Sequence, residues 1–228
     1  MLISHSNKFI FVHIQKTGGS TVEHILQTQV PDTEFLGHRH NFVRNEIDTV
    51  NDHKDYFKFA FVRNPWARLL SWWSMYDEAR RVTWRDRLTS ARARNLYQLT
   101  KKYWFWQYVH KHGKTFDDFI LQCTGVVGSK MPGGVSSITF NQLDYIADEE
   151  DNLLVDFVGR FENFQEDLRK VGQRIELDLN SIPWTNRTKH KHYSEYYTNE
   201  TRAVVAEIYQ RDIEYFGYKF DPPSDDLS

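Results

Sequence analysis

The chain has 228 residues, 29 lysines and arginines against 31 aspartates and glutamates, and a single cysteine, Cys123. That length can bury a core without disulfides or structural metal, and one cysteine excludes an internal disulfide. The net charge of −2 gives no electrostatic ground for bulk nucleic-acid binding.

From Met1 a few polar residues lead into an apolar run, without a signal-peptide pattern and with no membrane-length apolar stretch anywhere. The expectation is a cytoplasmic protein without membrane insertion, with Cys123 a small buried hydrophobe in a reducing compartment.

Three apolar runs share one grammar. Lys8 to Ile14, Tyr56 to Val62 and Leu153 to Val158 each end at a polar cluster, and each precedes a helix-like segment. Strands without polar alternation, separated by helices, predict parallel pairing between helix layers, with ligands outside the strands' C-terminal ends. The fold class expected is α/β: a P-loop-like three-layer fold with a central, mostly parallel sheet flanked by helices.

The first run breaks into Gln15-Lys16-Thr17-Gly18-Gly19-Ser20-Thr21, a glycine turn opening a helix. Amides at such a helix start, the helix dipole and Lys16 together suit an anion. The wording differs from the commonest nucleotide-triphosphate loop, where the lysine follows the glycines, and no aspartate-ended strand for magnesium stands out. A plain glycine turn with a surface lysine is the bland alternative.

After the second run, Asn64 suits a helix N-cap and Pro65 a first helical residue. Asn64, Arg68 and Ser71 fall near one helix face, so the Ser71 hydroxyl is expected to look back toward Arg63. A guanidinium fork plus a hydroxyl suits a terminal phosphate. A surface ion pair is the alternative for Arg63.

Further along, 74–114 reads as helix-rich and 124–137 as glycine-rich and loop-like. The tail from Tyr193 to Tyr218 has apolar residues at helical spacing and is expected to pack back on the sheet, before Pro222-Pro223 and an acidic end. The whole is read as a single domain over 1–228, with 74–137 as a candidate helical acceptor-binding insertion.

Taken together these residues resemble the sulfotransferase superfamily, specifically the carbohydrate sulfotransferases that act on heparan, chondroitin and dermatan and their shorter bacterial relatives. Gln15 to Thr21 resembles the family's 5′-phosphosulfate loop, with Gln15 where proline is usual. Arg63-Asn64-Pro65 through Ser71 resembles its 3′-phosphate motif. Val158-Gly159-Arg160-Phe161-Glu162-Asn163-Phe164 and the segment from Tyr209 to Tyr218 resemble its later blocks.

The resemblance implies sulfuryl transfer from 3′-phosphoadenosine 5′-phosphosulfate (PAPS) to a hydroxyl, less readily an amine, leaving 3′-phosphoadenosine 5′-phosphate (PAP), with no metal. It implies that Gln15, Lys16, Thr17, Gly18, Gly19, Ser20 and Thr21 hold the 5′ side, with Lys16 neutralising the leaving oxygen, and that Arg63 and Ser71 clamp the 3′-phosphate. Arg160 is a further candidate, either toward the co-substrate or in an ion pair with Glu162. Arg187 belongs to a polar segment, 186–191, that resembles the loop closing over the nucleotide; solvated charge is its alternative.

The acceptor must lose a proton, and a histidine is the natural base. Leu36-Gly37-His38-Arg39-His40 offers two, and the family's preceding glycine favours His38 over His40. Between Arg80 and Trp106, arginines and lysines alternate with aromatic residues. That pattern suits a carbohydrate acceptor with acidic groups, or else a helix pair with solvated arginines and core tryptophans. An ATP- or GTP-dependent kinase, or a non-catalytic module binding PAP or polyanions, remain the competing functions. The sequence leaves oligomeric state open.

Overall fold

A computed structural model of the chain describes residues 1–126, 138–177 and 191–221. In chain order its elements are β1 (Leu2–Ser4), β2 (Phe9–Val12), α1 (Gly19–Gln29), β3 (Glu34–Phe35), α2 (Ile47–Asp52), β4 (Phe57–Val62) and α3 (Pro65–Arg81). Next come α4 (Trp84–Thr89), α5 (Ala91–Lys102), α6 (Trp104–His112), α7 (Phe116–Asp118) and α8 (Leu143–Ile146). They are followed by β5 (Phe157–Arg160), α9 (Phe164–Arg174), α10 (Asn199–Ile208) and α11 (Gln210–Phe216). Two compact units result: residues 1–64 with 141–189, and 65–140 with 190–228.

The first unit holds a sheet of order β3-β1-β2-β4-β5. Its centre is parallel, Val12 facing Ala60 and Val62 facing Arg160, while β1 pairs antiparallel with both β2 and β3. Parallel pairing brings the C-terminal ends of β2, β4 and β5 to one edge, so the chain segments carrying Lys16, Arg63 and Arg160 start side by side.

The strand pleat sends Phe9, Phe11, Phe59 and Phe61 to one face, where Val22, Ile25 and Leu26 of α1 and Phe164, Leu168 and Val171 of α9 cover them. Ile10, Val12, Ala60 and Val62 on the opposite face are buried as well, which explains the absence of polar alternation in these runs.

Two sequence expectations change here. The polar residues before the first run are a hairpin turn, because β1 precedes β2; Asp32 fixes that turn by accepting from the Ser4 and Ser6 hydroxyls and the His5 and Ser6 amides at 2.7–2.9 Å. The third run pairs only from Phe157, later than Leu153. Its start is bent away, Leu153 forming an isolated antiparallel bridge to Ala147 and Leu154 donating its N–H to Ile146.

The second unit is helical among its described residues, around a core that includes Trp66, Leu69, Trp72, Tyr76, Phe105 and Phe119. Arg68 is fully buried; its Nη1 donates to the Phe140 carbonyl at 3.0 Å and its guanidinium faces the Tyr209 ring at 5.6 Å. The tail is helical as expected, but it breaks at Tyr209 into α10 and α11. Val205 and Tyr209 enter this helical core. The Tyr197 hydroxyl donates to the Trp66 carbonyl, and Trp66 Nε1 to that of Arg202, so the tail packs on α3 within its own unit. Cys123 is buried, as a small apolar side chain would be.

The basic and aromatic stretch divides between its two expected readings. Trp106 lies in the core, while Trp84 and Trp104 are exposed by 59% and 47%. Several cations have partners: Arg80 and Arg81 pair with Asp77, Arg92 grips Glu78 with two nitrogens, and Arg87 stacks on Tyr97. No helix among the described residues is long and apolar enough to cross a membrane.

Candidate functional site

The site builds from the turn after β2. Lys16 has φ 69°, a left-handed conformation unusual for a residue with a Cβ, and Gly18 follows at φ 86°. The Thr17 hydroxyl, buried, donates to the Ile14 carbonyl at 2.9 Å and ties the turn to the strand it leaves. Glycine is required twice, for different reasons. A Cβ at Gly18 would demand that positive φ and lie 2.8 Å from Phe164 Cε2; one at Gly19 would lie 2.2 Å from His13 Cδ2.

α1 therefore starts at Gly19 without a side-chain cap and without an acidic residue in its first turn. The amides of Thr21 and Val22 turn back to the Gly18 carbonyl, and those of Gly19 and Ser20 precede them at the open end of the helix. Uncapped amides, a positive helix end and Lys16 form a donor set that fits a phosphate or sulfate group. Tyr145 adds a fixing contact, its hydroxyl donating to Gln15 Oε1 at 3.1 Å.

Arg63 reaches this turn. Its Nη1 donates to the Lys16 carbonyl at 3.3 Å and its guanidinium lies over the Phe161 ring at 4.2 Å. Its backbone is held from both sides by one carboxamide: Gln142, fully buried, accepts from the Arg63 N–H at 2.7 Å and donates to the Arg63 carbonyl at 2.9 Å. Glu162 accepts from the Asn64 N–H at 2.7 Å, and Asp167 from the Arg160 N–H at 2.8 Å. The backbone at the ends of β4 and β5 is thus pinned by side chains of the same unit. Helix α3 begins at Pro65, as the Asn-Pro pair predicted, and carries half-buried Ser71 in the second unit. Arg187 lies outside the described residues.

The histidine segment sits at the same edge. His40 Nδ1 donates to the carbonyl of His13 at 3.0 Å. Since a carbonyl oxygen only accepts, Nδ1 carries the proton and Nε2 keeps the lone pair. The two rings meet edge to face with centroids 4.5 Å apart. His13 is 3% exposed and donates from Nδ1 to Glu23 Oε2 at 2.8 Å; Arg39 Nε donates to that same oxygen at 2.7 Å. His38 is exposed, and its carbonyl accepts from the Met1 nitrogen at 2.6 Å.

Burial pushes the Glu23 carboxyl up, but the bonds from His13 and Arg39 outweigh it and bring it down to about 2. Burial lowers His13 against the pull of Glu23. Burial, then proximity to the His13 ring and the Arg39 charge, takes His40 down to about 4, and with His13 also lowered both imidazoles are neutral near pH 7. His40 is therefore an uncharged, oriented proton acceptor.

Sequence reasoning missed His13, Glu23, Arg39, Gln142 and Asp167. His13 stands immediately before the loop and offered a signal; Gln142 offered none, being distant in sequence and ordinary in composition. Among the described residues no group of three or more His, Cys, Asp or Glu side chains is arranged to hold a metal ion.

A strand, an uncapped lysine turn and a helix, with an arginine from the adjacent parallel strand reaching the same turn, define an α/β protein with a donor set whose chemistry suits an anion. The model of the sulfotransferase family matches residues 1–219, and the chain belongs to that family, whose reaction is sulfuryl transfer. Searches of curated proteins and of solved structures found no match.

Proposed function

We propose that this sulfotransferase takes the sulfuryl group from PAPS and passes it to a hydroxyl of a carbohydrate acceptor, with His40 as the base. The observation that carries this reading is the hydrogen bond from Arg63 to the Lys16 carbonyl, which sets two cations at one uncapped helix start. Family membership supports the donor, since PAPS is the sulfuryl donor these enzymes generally use.

Lys16, with the amides at Gly19 and Ser20 and the Ser20 and Thr21 hydroxyls, holds the 5′-phosphosulfate. Arg63 and Ser71 are assigned to the 3′-phosphate on their motif spacing. The acceptor oxygen forms a bond to sulfur as the bond from sulfur to the bridging phosphate oxygen breaks. The electron pair stays on that phosphate oxygen, where Lys16 balances the charge, and the acceptor proton passes to His40 Nε2. Fixed cations and amides at the leaving oxygen act as in other in-line group transfers, where electrostatic stabilisation is the largest contribution.

His40 is favoured over His38 because its tautomer is set by the His13 carbonyl and its ring is half-buried beside the turn, whereas His38 is exposed. Exposed Trp84 and Trp104, among arginines, support a sugar acceptor with acidic groups.

Thermal shift with PAP against ATP plus magnesium tests the donor: stabilisation by PAP alone is expected, and equal or absent shifts would overturn the reading. Mass spectrometry of a glycan and small-phenol panel incubated with protein and PAPS tests the acceptor; sulfation of the phenols only would remove the carbohydrate assignment.

A further inference from the structure

We propose that Arg39 is a second cation of the donor site, held at the start of α1 by the buried carboxylate of Glu23. This rests on the assignment of the Lys16 turn to the 5′-phosphosulfate, and it adds a residue that the family motifs did not mark.

Three contacts carry it. Arg39 Nε donates to Glu23 Oε2 at 2.7 Å, and Nη2 lies 3.5 Å from the Ser20 hydroxyl in the first turn of α1. The third is the bond from His13 to the same Glu23 oxygen, at 2.8 Å. Glu23 is thereby locked: its side chain is 10% exposed, and it has a buried imidazole on one side and the guanidinium on the other. The Arg39 side chain is 46% exposed, so the cation faces outward from a buried anchor.

An ordinary surface pair leaves both partners free to wander and contributes little. Here the anchor cannot follow the arginine into solvent, so much of the rotamer freedom of Arg39 is lost before any ligand arrives. With Nε committed to Glu23, the Nη groups stay as donors beside the hydroxyl and amide of Ser20. That is where the helix end concentrates positive potential. The ligand chemistry fitted is an oxyanion of the phosphosulfate, the group that Lys16 meets from the other end of the turn. Glu23 is a positioning residue: it acts through Arg39 and His13, and touches no substrate.

The arrangement makes a prediction about coupling. If Glu23 acts on the donor by fixing Arg39, removing both must cost no more affinity than removing Arg39 alone. PAP is the probe, because its 5′-phosphate occupies the same turn and no acceptor is needed.

The experiment measures the dissociation constant for PAP by calorimetry on the full chain, together with ligand-free melting temperature. The chains compared are wild type, Lys16→Ala, Arg39→Gln, Arg39→Lys, Glu23→Gln and the Glu23→Gln/Arg39→Gln double variant. Arg39→Gln is expected to weaken PAP about tenfold, the scale of one charge-assisted hydrogen bond. Arg39→Lys should recover part of that loss, and the double variant should match Arg39→Gln. If Arg39→Gln binds PAP within twofold of wild type while Lys16→Ala does not, Arg39 is only a structural partner of Glu23 and the proposal fails. Strictly additive losses in the double variant would overturn the Glu23 part, and should that variant not fold, Arg39→Gln against Arg39→Lys still decides the role of Arg39. Absence of PAP binding by the wild type would refute the donor assignment itself, a failure distinct from these.

Discussion

Arg63, directly after β4, donates to the carbonyl of Lys16, in the turn that follows β2, across 3.3 Å. Adjacent parallel strands deliver the two residues to one edge, and the contact uses the backbone carbonyl of Lys16 rather than its side chain. The two cations should therefore fail differently when removed.

Lys16→Ala removes the charge that meets the leaving oxygen. Turnover, followed as PAP released from PAPS, is expected to fall by about 10²- to 10³-fold, the scale of losing one preorganised stabiliser of developing charge. The circular dichroism spectrum should be unchanged, since the turn is held by Thr17 and the glycines. Turnover near wild type would reject the role assigned to Lys16.

Arg63→Ala should act on binding first. PAP affinity is expected to drop by about 10- to 100-fold through loss of charge-assisted bonds. A truncated guanidinium also leaves the Phe161 face uncovered, so a small loss of melting temperature accompanies it. Unchanged PAP affinity in this variant would show that the 3′-phosphate is held elsewhere.

Gln142→Ala tests the scaffold without touching either cation. It strips partners from both the N–H and the carbonyl of Arg63, and an unsatisfied buried backbone group costs about 1–3 kcal/mol. Denaturant unfolding should show a loss of about 2–6 kcal/mol by that measure, with weaker PAP binding as the strand end loosens. A variant as stable as wild type would mean that water replaces the carboxamide at no cost.

The two histidines are separated by replacing each with asparagine. His40→Asn is expected to cut transfer to the accepted sugar by about 10²- to 10⁴-fold, the usual worth of a general base, while leaving PAP affinity nearly intact. His38→Asn should stay near wild type. The reverse result would move the base to the exposed histidine.

His40 also predicts a pH dependence of stability. Its folded-state value, about 4, lies below the 6.5 of the unfolded chain, so the unfolded state binds the proton first between those limits. Stability must then fall as pH drops from about 6.5 to 4, and Glu23 extends the loss in the same direction below 4.5 because its folded value is about 2. Melting temperatures across pH 7 to 4 should decline in the wild type and decline less in His40→Asn. Parallel curves would show that His40 titrates as an ordinary solvated histidine.

Much of this was written in local chemistry. Short-range features fix the turn from Gln15 to Thr21, the Asn64-Pro65 helix start and the apolar runs that become β2 and β4, because strand, turn and cap preferences act over a few residues. The sequence thus determined by itself the α/β class, the lysine turn at a helix start and the family. Tertiary structure decided the rest. It added the antiparallel β1 hairpin, moved the third strand to Phe157 and took Val205 and Tyr209 into the helical core, since pairing and burial depend on partners far along the chain. It also brought Glu23 between His13 and Arg39 and fixed the His40 tautomer against a backbone carbonyl. Such contacts join residues whose types are common and whose spacing carries no pattern, so only folding makes them one site.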